Sequence, residues 1–166
     1  KSQSNEFIFV YSHSTMTTEV RIMNANEPLS ELQLFAGRQQ GIIYDIEHWQ
    51  DEFIILTNEN ALNFTLLRCP KDDFNARTPV IEYDEKRYLQ QIYPFANKLF
   101  IEGREDGLTQ IWVYDGVNFE RLQWDEPIYT LSIVRGQSYD TDEVLVEFES
   151  LVTPKTTYGL NLSTLE

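Results

Sequence analysis

Apolar and polar residues alternate along most of this chain in short runs, and turn-forming residues separate the runs. The stretch 105–116, EDGLTQIWVYDG, shows the pattern clearly. Its residues 108–114 would place successive side chains on opposite faces of a strand. The Asp and Gly residues at both ends predict hairpin turns, because Gly accepts a positive φ and Asp bonds back to its own backbone. No long window shows helical periodicity, so the pattern predicts short β-strands joined by turns.

Four segments of the chain share one plan, which is an apolar strand, a polar connection and a second strand. They begin at Glu6, Glu52, Lys98 and Glu143, so the steps between them are 46, 46 and 45 residues. Further strands before and after these hairpins complete a four-stranded meander of about 45 residues, which is typical of a β-propeller blade. A β-sandwich also has short strands but no reason to repeat at this period, so the repeat favours the propeller.

The repeat divides the chain into approximate blades at 5–36, 41–84, 88–124 and 129–165. The middle two contain four predicted strands each, and the first and last contain three. Since a closed propeller needs about 4–8 whole blades, residues 1–166 are predicted to form a single arc of an all-β, partial β-propeller domain. Open strand edges at both ends of such an arc predict that the isolated chain self-associates.

The acidic composition limits the partners that this chain can have. Asp and Glu number 27 against 13 Lys and Arg, which gives a net charge of −14. Such a surface repels phosphate groups, so we expect no nucleic-acid partner and no docking on anionic membranes. It attracts basic peptides, although an acidic surface also serves solubility alone. The single cysteine, Cys69, cannot form an internal disulfide and favours a reducing compartment, so a cytoplasmic location is expected.

The sequence predicts no metal site and no cofactor. His13 and His48 are far apart and lack the spacing of a zinc site. The acidic residues around His48 predict a raised pKa and a surface ion pair. The run from Asp140 to Glu143 begins like a calcium loop but lacks that loop's glycine and closing glutamate. Cys69 is predicted to be an inert core residue.

One polar cluster is a candidate contact site. It consists of Glu102, Arg104, Glu105 and Asp106, in the turn between the second and third strands of the third blade. Such turns lie on the rim of a propeller, where a substrate or a partner domain can reach them. A hairpin that carries charges for solubility alone would have the same residues. The three tryptophans are predicted to pack between blades.

Several strings resemble the oligopeptidase B branch of the prolyl oligopeptidase family. EGREDGLTQIWV (102–113) is similar to a string in that group's propeller, and DEPIYTLSI (125–133) is similar to the start of its following blade. The most distinctive string is 139–166, in which Asp140-Thr141 precedes Ser150-Leu151-x-Thr153-Pro154. The resemblance is strongest over 98–166, and it places the chain in the C-terminal part of the propeller.

This resemblance implies a seven-bladed propeller that caps an α/β-hydrolase domain with a Ser-Asp-His triad. The family cleaves short peptides, and the oligopeptidase B branch prefers to cut after Arg or Lys. The propeller would act as a size filter and would dock the hydrolase domain. No serine here has glycine two residues before and two after it, so the chain lacks the nucleophile motif of such enzymes and the catalytic domain is predicted to be absent from it.

Two other functions remain open at this stage. The chain could belong to a non-enzymatic propeller that serves as an interaction module or scaffold. It could also be a free-standing all-β binding protein in which the repeat is accidental. A G-x-S-x-G motif elsewhere in the protein would favour the peptidase over both.

Overall fold

Short alternating segments become strands throughout residues 1–166, all of which the computed structural model describes. There are fourteen strands and no helix, so no helix is available to cross a membrane. The strands are β1 (Phe7–Ser14), β2 (Thr17–Asn24), β3 (Gln33–Ala36), β4 (Tyr44–Trp49), β5 (Glu52–Thr57), β6 (Thr65–Pro70), β7 (Thr78–Pro79), β8 (Arg87–Phe95), β9 (Lys98–Glu105), β10 (Leu108–Tyr114), β11 (Phe119–Arg121), β12 (Tyr129–Ile133), β13 (Glu143–Ser150) and β14 (Thr156–Asn161).

Consecutive strands pair in antiparallel fashion to form four separate sheets. Sheet 1 has the order β1-β2-β3, sheet 2 the order β4-β5-β6-β7, sheet 3 the order β11-β10-β9-β8, and sheet 4 the order β12-β13-β14. Two sheets therefore have four strands and two have three. The prediction of an all-β partial propeller with two complete and two partial blades is confirmed.

The chain forms two compact units, residues 1–85 and residues 86–166. The first contains sheets 1 and 2, and the second contains sheets 3 and 4. In each unit a core lies between the two sheets. The fully buried Phe53 on β5 lies in the first core, and Phe100 on β9 lies in the second.

The fourth strand of sheet 2 is much shorter than the sequence suggests. The apolar residues of 78–84 predict a strand there, but only Thr78–Pro79 pair with β6. Pro79 has no N–H to donate to the ladder, which suits only the edge of a sheet. The backbone makes one more bond, from the amide of Val80 to the carbonyl of Leu66 at 2.8 Å, before it leaves the sheet.

The hairpin of β9 and β10 closes with the predicted tight turn. Glu105 pairs directly with Leu108, and the two residues between them, Asp106 and Gly107, have φ values of 52° and 81°. Two positive φ values in a two-residue loop match the twist of the flanking strands, which is the geometry that Asp-Gly favours. The turn therefore fixes the register of β9 against β10.

Gly103 allows β9 to approach its neighbour β8 closely. A Cβ atom at this position would lie 2.3 Å from the carbonyl oxygen of Tyr88 and 3.1 Å from the Cα of Leu89. The pairing of β8 with β9 also shifts between Leu89 and Gln91, as at a β-bulge. Glycine is therefore required here by backbone contact.

Candidate functional site

The predicted contact site divides between the two faces of β9 and the turn that follows it. Glu102 and Arg104 lie on one face of the strand, Glu105 lies on the other, and Asp106 lies in the turn. The structure therefore brings these residues to one hairpin but does not join their side chains into one cluster. Only Arg104 and Asp106 are exposed.

Glu102 helps to hold sheet 3 to sheet 4. Its Oε2 accepts a hydrogen bond from the backbone amide of Ile133 on β12 at 3.3 Å. It also lies close to the hydroxyl of Tyr93, whose pKa is raised to about 12, first by burial and then by the charge of Glu102. This carboxylate thus serves packing within residues 86–166.

Glu105 makes an ion pair within its own sheet. Its Oε2 lies 3.1 Å from a guanidinium nitrogen of Arg121 on β11. This places the pair across β10, between the second and fourth strands of sheet 3. The same face carries Trp112, whose ring stacks on Phe119 at an interplanar angle of 10°.

Trp124 and Trp112 make different ring contacts, and of these two it is Trp124 that packs between sheets. Trp124 stacks on Phe148 of sheet 4, with ring centroids 4.8 Å apart. It follows β11 of sheet 3 in the chain, so it joins the two sheets as predicted. Trp112 instead contacts Phe119 of its own sheet.

His48 was predicted to be a charged surface residue, and the structure shows that this is wrong. The imidazole is fully buried on β4, between the rings of Phe7 and Phe53 at 4.8 and 5.7 Å. Burial lowers its pKa, and this outweighs the opposing effect of Glu6. The nearby carboxylates could not reveal this, because alternation along β4 points His48 inward with Tyr44 and Ile46.

The surroundings of His48 contain a serine and a glutamate but do not form a catalytic triad. The hydroxyl of Ser4 lies 2.8 Å from Nδ1 of His48, and a carboxylate oxygen of Glu6 lies 3.9 Å from the same nitrogen. A triad needs the nucleophile on one ring nitrogen and the acid on the other. Here the second nitrogen, Nε2, is buried without a hydrogen-bond partner. The group therefore anchors residues 1–6 on sheet 2.

Glu47 makes a second contact with the same N-terminal segment. Its Oε2 accepts hydrogen bonds from the backbone amides of Gln3 at 3.2 Å and His48 at 3.3 Å. Burial raises the pKa of this carboxyl to about 7, although both hydrogen bonds act in the opposite direction. Glu47 and His48 are adjacent on β4, and burial shifts both pKa values in the direction that favours the neutral form.

Cys69 is buried in the core of residues 1–85, and burial raises the pKa of its thiol to about 11. A thiol with a raised pKa is a poor nucleophile. No group of three or more His, Cys, Asp or Glu side chains is arranged to hold a metal ion.

The loop that joins β13 to β14 lies outside the predicted contact site and is held by side-chain hydrogen bonds. Ser150 closes this loop, since its hydroxyl accepts hydrogen bonds from the amides of Val152 at 3.1 Å and Thr153 at 2.9 Å. Thr153 in turn donates to the carboxylate of Glu126 at 2.6 Å. Leu151 and Val152 project into solvent. The string Ser-Leu-x-Thr-Pro was the available signal, because Ser and Thr spaced by three residues commonly bond to loop backbone.

Comparison with known proteins identifies the family. A family model described as the N-terminal β-propeller domain of prolyl oligopeptidase matches residues 1–166. The chain belongs to the prolyl oligopeptidase family. Residues 1–166 belong to the propeller domain of a family member. The resemblance inferred from the motifs is therefore confirmed. The matching domain is the N-terminal one, so the chain is an N-terminal fragment of such a protein and not a C-terminal part of it, whereas its place within the propeller stays a prediction.

Relatives within this family are much longer than the chain. Protease 2 of Moraxella lacunata is 57% identical over 166 residues, which are all of this chain and 24% of that protein. Dipeptidyl aminopeptidase BI of Pseudoxanthomonas mexicana is 25% identical over 171 residues, covering 100% of this chain and 23% of its own length. The chain thus spans about a quarter of the relatives it matches.

Solved structures of oligopeptidase B share the fold. The enzyme from Leishmania major has a TM-score of 0.92 at 26% identity, over 100% of this chain and 25% of that one. The enzyme from Trypanosoma brucei, with covalently bound antipain in a closed form, has a TM-score of 0.93 at 23% identity, over 100% and 26%.

Proposed function

We propose that the protein containing this chain is a serine peptidase that cleaves short peptides after Arg or Lys. In this proposal the propeller restricts access to a catalytic hydrolase domain and docks that domain, without supplying catalytic groups. The supporting observation is the 57% identity to Protease 2 along the whole chain. The charge of −14 adds weight, because an acidic surface raises the local concentration of basic peptides.

The side-chain geometry is compatible with a non-catalytic role for this part. The pairing of Ser4 with His48 lacks an acid on the second ring nitrogen, and that nitrogen is inaccessible. Within the predicted contact site, Glu102 and Glu105 hold strands together. Arg104 and Asp106 are exposed at the end of the hairpin, so we assign the contact with substrate or partner domain to these two.

Three further proposals concern the chain as a whole. Residues 1–166 act as a single arc of the propeller, the isolated arc self-associates through its open strand edges, and the protein is cytoplasmic. Sedimentation of the isolated chain at tens of micromolar tests the second of these. A monomer at that concentration contradicts it.

A comparison of the full-length protein with the isolated chain tests the peptidase function. The full-length protein should hydrolyse a fluorogenic peptide ending in Arg, should leave a matched peptide ending in Glu intact, and should lose activity after a serine-directed fluorophosphonate. The isolated chain should hydrolyse neither peptide. Turnover by the isolated chain that the fluorophosphonate blocks contradicts the non-catalytic role. No turnover by the full-length protein favours a non-enzymatic interaction module instead.

A separate experiment tests whether the propeller restricts access to the catalytic domain. The full-length protein should cleave a short Arg peptide but not the same sequence within a folded protein. Its kcat/KM for the basic peptide should fall as salt is added, because screening weakens long-range attraction. Efficient cleavage of a folded protein contradicts the filter.

A further inference from the structure

Exposed apolar side chains in residues 86–166 concentrate at one end of sheets 3 and 4. Leu151 and Val152 in the β13–β14 loop are 88% and 83% exposed, and the neighbouring Ile128, just before β12, is 59% exposed. We call these three residues the apolar patch. At the opposite end of the same sheets the exposed apolar residue is Val117, at 85%, in the turn between β10 and β11. An exposed group of this kind is typical of a contact surface.

The loop holds its apolar residues in solvent instead of letting them collapse. The amide of Ser150 donates to the carbonyl of Thr153 at 2.9 Å, which closes the loop in addition to the two bonds to the Ser150 hydroxyl. The bond from Thr153 to Glu126 attaches the loop to the segment before β12. A surface held in place in this way loses little conformational freedom when it is covered, which favours binding.

The groups around the apolar patch are predominantly acidic. Glu126 lies beside the loop, and hydrogen bonds from Ser150 and Thr153 lower the pKa of its carboxyl, so that it stays charged at neutral pH. Glu149 lines the groove between Ile128 and Leu151. The nearby Lys155 is paired with Glu147 at 2.8 Å. A complementary partner would therefore carry an apolar surface edged by Lys or Arg.

We propose that the apolar patch docks the hydrolase domain of the same protein, through an apolar area of that domain edged by basic side chains. This inference rests on the proposed function, since it takes the partner to be that domain. The relatives extend about four times the length of this chain, so most of such a protein lies outside the surface described here. The stiff loop, its apolar side chains and its acidic edge define one face for that contact.

Hydrogen exchange in the full-length protein tests the contact. Amides of residues 150–154 should exchange more slowly in the full-length protein than in the isolated chain. The double variant Leu151→Ser, Val152→Ser should raise their exchange in the full-length protein about tenfold, since it removes apolar area from the interface. The matched variant Val117→Ser, equally exposed at the opposite end, should leave that exchange unchanged. The variant Glu149→Gln should have a smaller effect that disappears in high salt.

The outcomes separate this inference from the proposed function. Equal exchange at 150–154 in the full-length protein and the isolated chain overturns the docking surface, whether or not the Arg peptide is hydrolysed. An equal effect of Val117→Ser also overturns it. If the double variant changes only the sedimentation of the isolated chain, the occupant is a second copy and the proposal is wrong. If the amides of residues 150–154 exchange slowly in the full-length protein but the protein hydrolyses no peptide, the docking surface is supported and the proposed peptidase function is wrong.

Discussion

Residues 1–85 and residues 86–166 each hold two sheets together, but with different chemistry. The first core is built around Phe53, and ionisable side chains lie at its margin, including His48 and Glu47. The second core is formed mainly by aliphatic residues, and its two sheets are joined by hydrogen bonds from the amide of Leu131 to the Thr109 hydroxyl at 2.8 Å and from the amide of Ile133 to the Glu102 carboxylate at 3.3 Å. Sheets built from the same repeat are therefore held together in two different ways. Only the stability of residues 1–85 should change with pH near neutrality.

The largest expected effect is the loss of Phe53. Its ring contacts five others, at centroid distances of 4.9 to 6.3 Å, from Phe7, Phe9, Phe35, His48 and Phe74. Phe53→Ala should lower the free energy of unfolding by about 3–5 kcal/mol, because it leaves a cavity. Urea unfolding measures the loss, and amide exchange should locate it in residues 1–85.

Phe148→Ala is the matched change in the second unit. Phe148 contacts only three rings, those of Trp124, Tyr129 and Tyr158. Its loss should fall at the lower end of the same range and should open residues 86–166. A smaller effect for Phe53 than for Phe148 would contradict the view that the first core depends on one aromatic centre.

The next effect concerns two glycines of the second unit. Gly103→Ala should destabilise by about 1–3 kcal/mol, because its methyl group meets backbone atoms of β8 that cannot move away. Gly159→Ala should change stability by less than about 0.5 kcal/mol, since its methyl group meets only the flexible carboxylate of Glu143. Thermal unfolding of the two variants checks this order. Equal losses would show that side-chain movement does not relieve the contact at Gly159.

The pH dependence should distinguish the two units most directly. In the folded chain the pKa of His48 lies below its usual 6.5, so the stability that its neutral form provides is lost as pH falls below about 6.5. The pKa of Glu47 is raised from 4.5 to about 7, so the stability that its protonated form provides is lost as pH rises through that range. Between about pH 4.5 and 6.5 the two effects oppose each other.

Variants separate these opposing effects. Glu47→Gln should make the stability of residues 1–85 rise with pH over this window, and His48→Gln should make it fall. Amide exchange at several pH values, corrected for intrinsic rates, reports both slopes. Residues 86–166 provide the internal reference. Identical slopes in the two variants would refute the opposite roles of the two groups.

The smallest effect compares equivalent threonines of the two units. Thr109 accepts the amide of Leu131 at 2.8 Å, whereas Thr18 accepts the amide of Tyr44 at 3.4 Å. Thr109→Val should cost about 1 kcal/mol, because it leaves an amide without its partner, and Thr18→Val should cost about half as much. Chemical denaturation of both variants tests this. A larger loss at Thr18 would mean that the first unit depends on this hydrogen bond more than the second.

Much of the fold could be predicted because its signals are local or periodic. The step of about 46 residues gave the number of sheets and the strand count of each, and Asp106-Gly107 gave the turn that sets one register. The candidate site was harder to predict. Its four residues share a hairpin in the sequence, but strand alternation sends Glu102 and Glu105 to opposite faces, where each finds a structural partner.

The sequence by itself determined the all-β repeat, the acidic surface and the family motifs, since each depends on residue type and spacing along the chain. Only the tertiary structure decided which charged or polar groups are buried. His48 is surrounded by carboxylates in the sequence but by phenylalanine rings in space. The serine that hydrogen-bonds to its ring, Ser4, is 44 residues away in the sequence. The exposure of the apolar residues Leu151 and Val152 is likewise visible only in the structure. Alternation along a strand sets the face on which a residue lies, but contacts between sheets decide which groups it meets there and whether water is excluded.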